Sequence, residues 1–186
     1  MKVSELMDGI TPDPMFSGFV TADNMVLAVG LPGQDSTEDD YEVIQTGIEG
    51  VDPQLSPVTK DKQYIRTGVT TLKTGTQRGF KITGDRYIGD KFQDYCFSHK
   101  IVHGSGQDVV VPCVYFCILT GKGEKGMYSI IVNSDGGGKA GETSTIDVSL
   151  TATGASPEEY TYTPTIRVDT AQVGYAKVGK AKTGKE

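Results

Sequence analysis

Tryptophan is absent from this chain of 186 residues, histidine occurs twice and cysteine three times. Without Trp, a sugar-binding platform would have to be built from tyrosines such as Tyr160, Tyr162 and Tyr175. Three cysteines are an odd number, and the opening MKVSELMDGITPDP lacks the apolar stretch of a signal peptide. Free thiols in a reducing compartment are therefore expected, not a disulfide framework. Long apolar runs are missing as well. The longest, residues 109–119, is broken by Pro112 and is too short to cross a bilayer as a helix, so no membrane partner is expected. Positive charge is also scarce, with a formal net charge of −6. The last eleven residues hold Lys177, Lys180, Lys182 and Lys185 against Glu186, which leaves −9 on the rest of the chain. A surface that wraps nucleic acid is usually basic, so the acidic body argues against one.

What is present suits a soluble globular domain: 37% hydrophobic, 23% charged, and 24 glycines among many Thr and Val, a composition of strands and turns. The most readable stretch is RGFKITGDRYIGDKFQDY, residues 78–95. Phe80 and Ile82 alternate with Lys81 and Thr83, as in a half-buried strand. Asp90 then suits a helix cap, and Phe92, Tyr95 and Cys96 share one helical face, giving a structural helix built on Asp90, Phe92 and Tyr95.

Around it the chain reads as strands. Residues 19–29 suggest a hairpin turning at 22–24, residues 31–40 an acidic loop, and residues 41–46 a weak strand. Residues 48–62 hold Pro53 and Pro57 and no apolar period, which predicts a long loop. Residues 63–73 and 78–86 follow as antiparallel strands joined around Thr74-Gly75-Thr76. Residues 109–120 are apolar on both faces, the mark of a central strand, and GKGEKG (121–126) reads as a tight turn before a strand over 127–134. DGGGKAGE (135–142) is a loop. Residues 143–154 alternate most cleanly, with Ile146, Val148 and Leu150 inward and Thr145, Asp147, Ser149 and Thr151 outward. The pattern predicts a mainly β fold, a β-sandwich or half-open barrel with one packed α-helix.

No catalytic constellation emerges. His99 and His103 are four apart but fall at the end of the expected helix, with no further ligand nearby. Cys113 and Cys117 stand about 13 Å apart along a strand, too far for a mutual disulfide, and read as core residues. Neither Gly-rich segment has the order of a phosphate loop. Asp85, Asp90 and Asp94 read as caps and ion-pair partners of Arg86 or Lys91. No enzyme activity, metal or cofactor is expected.

The stretches GVDPQLSPVTKDKQYIRTG (50–68), QRGFKITGDRYIGDKFQDY (77–95), YFCILTGKGEKG (115–126) and STIDVSLTATGASPEEYTY (144–162) together resemble the major tail tube proteins of long-tailed bacteriophages of Gram-positive hosts. The resemblance implies a domain at 41–165, preceded by an N-terminal arm and acidic loop (1–40) and followed by a basic, flexible tail (166–186). It implies a structural virion protein, assembled in the bacterial host cytoplasm. Such a protein polymerises as stacked hexameric rings into a hollow tube that conducts double-stranded DNA without binding it specifically. The implied partners are further copies of the chain, a tape-measure protein, a tail terminator and tail-tip or baseplate proteins. On that basis Thr145, Asp147, Ser149 and Thr151 are expected to line the lumen. Asp52, Gln54, Lys60 and Lys62 are expected in a loop that reaches the next ring. The alternative is a carbohydrate-binding or adhesive β-sandwich on a virion or cell surface.

Overall fold

Val110–Cys117 forms β5, and its two faces supply two different cores. The structure, a computed structural model, describes residues 1–33 and 37–164; the basic tail lies outside the described residues. Along the chain come α1 (Val3–Leu6), β1 (Met25–Val29), β2 (Glu42–Val43), β3 (Ile48–Tyr64), β4 (Gly68–Asp85), α2 (Lys91–Cys96), α3 (His99–Val102), β5, β6 (Lys122–Ser134), β7 (Thr145–Ala152) and β8 (Glu158–Thr161). All eight strands join one antiparallel sheet in the order β2-β1-β5-β6-β7-β4-β3, with β8 added to β6. The mainly β expectation holds, in the half-open barrel form rather than as two packed sheets.

The curl of the sheet follows from its connections. β2 and β3 are the two ends of the path, yet only residues 44–47 link them. In a flat sheet seven strands would put the ends about 29 Å apart, whereas such a link reaches about 18 Å. The ends must therefore approach each other. The link is anchored on both sides, since the Ile44 amide donates to Leu27 and the Asp85 amide donates to the carbonyl of Gly47. Gly84 is needed here, because a Cβ would meet the Gly47 oxygen at 2.2 Å.

On one face, Leu27, Val29, Val111, Cys113, Tyr128, Ile130, Val148, Leu150, Phe80 and Ile82 form the main core, sealed by Phe92, Cys96 and Ile101 of α2 and α3. On the other, Val26, Ala28, Val114 and Phe116 are covered by Val3, Met7, Tyr41, Val43 and Tyr162. The single packed helix expected is thus one of three short α-helices, and α1 seals the opposite face. Residue 40 does not divide the packing, because β1 lies inside the sheet and Val3 inside the second core.

Several expectations are corrected. Residues 19–29 make no hairpin; a 3-10 turn at Ala22–Asn24 leads into β1. Residues 122–126 are strand, pairing with both β5 and β8, and a Cβ on Gly123 would lie 2.0 Å from the Tyr115 oxygen. The largest correction is 48–62, which is not a loop but most of β3. β3 pairs with β4 from Ile48↔Gly84 to Tyr64↔Gly68, while β7 pairs with β4 only from Gly79 to Asp85. Beyond Gly79 the hairpin leaves the sheet as a two-stranded arm about 36 Å long. Both its faces meet solvent, so it has no apolar period to read. Pro53 and Pro57 are tolerated because β3 is an edge strand. Thr74-Gly75-Thr76 is a bulge, not a turn. The register shifts opposite Val58/Thr59, and the Thr74 hydroxyl donates to the Val58 carbonyl at 3.0 Å.

Candidate functional site: the open sheet face and the arm

The face of β6, β7, β4 and β3 opposite α2 and α3 carries the residues expected to line a lumen. Register sets them in rows. Ile131, Ser149, Lys81 and Asp52 lie side by side across four strands, and Ser129, Thr151, Gly79 and Gln54 form the next row. Asp147 stands opposite Thr83, and Thr145 opposite Asp85. Cross-strand contacts knit the face together. The Asn133 amide donates to Asp147 Oδ1 at 3.0 Å and to Ser149 Oγ at 2.8 Å, and Lys81 Nζ lies 3.1 Å from Asp147 Oδ2. The Asn133 hydrogen bond, with Lys81 behind it, holds the Asp147 carboxyl below its ordinary value, so it is ionised at neutral pH. The charges on this face are Asp52, Asp85 and Asp147 against Lys81, a net acidic balance, and Ile131 adds an exposed apolar side chain.

The four residues expected in one inter-ring loop separate. Asp52 and Gln54 belong to the sheet face, whereas Lys60 and Lys62 sit on the arm. Residues 52–75 are exposed throughout, and Leu55, Val58, Tyr64, Ile65, Val69 and Leu72 present apolar surface there. The arm is rooted by Arg78. Its guanidinium pairs with Glu124 of β6, lies 4.6 Å from the Phe80 ring centroid and 5.3 Å from that of Tyr115, and is nearly buried. Lys81, Asn133 and Arg78 were missed from sequence. Asn133 alternates with Ile130 and Val132, so the outward face of its strand was the available signal.

Asp90 caps α2 by accepting from the Gln93 amide at 2.9 Å; Phe92 is buried in the main core, and Tyr95 packs against its border. The helix also carries a buried clasp. Gln93 Nε2 donates to Thr46 O at 2.7 Å and Asp85 O at 3.2 Å, and its Oε1 accepts from the Tyr87 amide at 2.8 Å. One fully buried amide thus ties α2 to the link between β2 and β3 and to the end of β4. Arg86 and Asp94 pair at 2.6 Å, and that hydrogen bond lowers the Asp94 carboxyl. The other groups weighed as chemistry are structural or surface groups. Cys96, Cys113 and Cys117 are free and buried, with burial pushing the thiols of Cys96 and Cys113 up. The rings of His99 and His103 lie 4.6 Å apart, tilted by 55° to each other. Among the described residues no cluster of three or more His, Cys, Asp or Glu could hold a metal, and no helix is long and apolar enough to cross a membrane.

The fold has solved counterparts. A chain in the tail of an empty GTA particle, reconstructed with helical refinement and C6 symmetry, superposes with a TM-score of 0.54 at 14% identity, over 78% of this chain and 100% of that one. A chain from the virion of a native gene transfer agent particle gives 0.52 at 13% identity, with the same coverage. The fold is that of tail-particle chains. At this identity the likeness is one of architecture. No family model and no curated protein matches the sequence.

Proposed function

We propose that this chain is the structural subunit of a phage-like tail tube of the long-tailed type. Copies close into hexameric rings, and the rings stack into a hollow tube that conducts double-stranded DNA. The observation that carries this is the arm: a two-stranded projection with no core of its own, on a fold shared with tail-particle chains. An apolar projection of that length gains burial only against another molecule. The open face of Thr145, Asp147, Ser149 and Thr151 lines the lumen in this proposal. Its small side chains and net acidic charge give phosphates neither a basic patch to adhere to nor a base-reading surface. The tube grows in the host cytoplasm around a tape-measure protein, between tail-tip or baseplate proteins and a terminator.

Negative-stain microscopy of the purified chain at high concentration tests this. Hollow tubes or sixfold rings are the expected result. Lasting monomers that bind an immobilised glycan would overturn it in favour of an adhesive module. A cryo-EM map with Asp147 and Ser149 on the outer wall would overturn the lumen assignment alone.

A further inference from the structure

The two ends of the sheet bound a groove of about 580 Å³. Met25 and Val43 line it from one end and Val51 and Pro53 from the other, with Asp23 and Glu49 among the lining residues. Both carboxylates are exposed, and neither makes an ion pair among the described residues. The arm is the complement of this groove. Its outer part, residues 58–75, carries Lys60, Lys62, Arg66 and Lys73 against Asp61, a net +3 on a chain of net −6. Its tip exposes Tyr64, Ile65 and Val69. Apolar surface meets apolar surface, and basic meets acidic.

We propose that the arm tip of one copy docks in this groove of a second copy, with Ile65 entering the apolar floor and Lys62 and Arg66 facing Asp23 and Glu49. This rests on the tube assignment for the identity of the partner and adds the site the arm engages. A copy cannot fill its own groove. Pro53 lines the groove at the root of the arm, and Tyr64 is eleven residues further along the same extended strand, about 36 Å away. Tip and groove are different surfaces, so the contact is head-to-tail; where its rotation does not close a ring, it leaves a free groove at one end and a free tip at the other, the geometry of an open-ended polymer. The separation of tip and groove on one copy also bounds the rise: successive copies along the axis are at most about 40 Å apart.

Two variants with one added cysteine each test the docking, Tyr64→Cys beside Ile65 at the tip and Gln45→Cys in the lining of the groove, so that Ile65, Asp23 and Glu49 stay in place. Both sites are exposed, so folding is retained, and the three native cysteines are buried and silent. The variants are mixed and oxidised with copper-phenanthroline and air. The expected result is an intermolecular disulfide in the mixture that neither variant gives alone, in assemblies with an axial repeat within the bound. Arg66→Glu in the first variant lowers its yield roughly tenfold, and Asp23→Lys in the second restores it. Tubes that form without the mixed disulfide overturn the docking and leave the tube assignment standing. Homodimers of Tyr64→Cys in place of the mixed product also overturn it, in favour of tip-to-tip contact. A mixture that gives neither tubes nor disulfide at its highest soluble concentration overturns the docking, while wild-type microscopy separately judges the tube.

Discussion

β4 is one continuous strand with two environments. From Arg78 to Asp85 it alternates buried and half-buried residues, with Phe80 1% and Ile82 0% exposed. From Gly68 to Gln77 its side chains stand in solvent, with Val69 65% and Leu72 41% exposed. Backbone pairing to β3 runs through both halves, so hydrogen bonding does not distinguish them. The difference lies in what covers the strand: β7, α2 and the main core in one half, nothing in the other. A two-stranded ribbon without a packed face is marginal in water, so the outer half is held by its root at Arg78 and Glu124. The body has the contacts that make a fold, and the arm has surface left for a partner.

The largest effect should come from removing the arm. Replacing residues 58–75 by Asn-Gly joins Pro57 to Thr76, which already face each other, through a two-residue hairpin turn. Circular dichroism and Tm should stay close to wild type while tubes disappear from electron micrographs. Unfolding of this variant would show that the two halves are not separable. Next, single apolar deletions should differ sharply along the strand. Phe80→Ala, which also loses its contacts with Tyr115 and Tyr128, should cost about 3–5 kcal/mol in urea unfolding, whereas Val69→Ala should stay within about 0.5 kcal/mol. Equal losses at the two positions would erase the contrast. Gln93→Ala should cost about 1–3 kcal/mol, because it strands the Tyr87 amide and the carbonyls of Thr46 and Asp85. A neutral result would mean that α2 does not hold the link between β2 and β3 against the end of β4. The smallest effect is on the open face. The Asp147 carboxyl is lowered in the folded state, so its contribution is present above the ordinary carboxylate range and is lost as pH falls through the folded value. Wild type should lose slightly more Tm than Asp147→Asn between neutral and acid pH, a difference well below about 1 kcal/mol at this solvated site.

The same contrast explains what was legible in the sequence. Burial on one face writes a period-2 pattern, and β7 with Ile146, Val148 and Leu150 was readable because its other face is polar. β5 was readable for the opposite reason, since both its faces are covered. The cap of α2 was readable because Asp90 acts locally, within three residues. The arm was not, because a strand solvated on both faces carries no burial period and its prolines imitate a loop. The N-terminal cover was missed because Val3 and Met7 are single anchors without periodicity. Gln93 was missed because its partners are Thr46, far along the chain, and two backbone groups of the preceding turn. On the open face, alternation alone singled out Thr145, Asp147, Ser149 and Thr151. Lys81 and Asn133, which set the charge state of Asp147, required the register.

The two prolines of β3 bear on the edge they sit in. Each copy of the chain carries a long bare strand edge, the kind of surface that zips unrelated chains into insoluble ribbons. Pro53 and Pro57 leave that edge without two donors four residues apart, and the bulge at Val58/Thr59 bends the ladder immediately beyond them. Edge-to-edge laddering is interrupted there before it can propagate. Stray ribbon growth is then slowed at its first steps, and the exposed apolar side chains of the arm tip stay free for a contact that depends on shape rather than on backbone pairing.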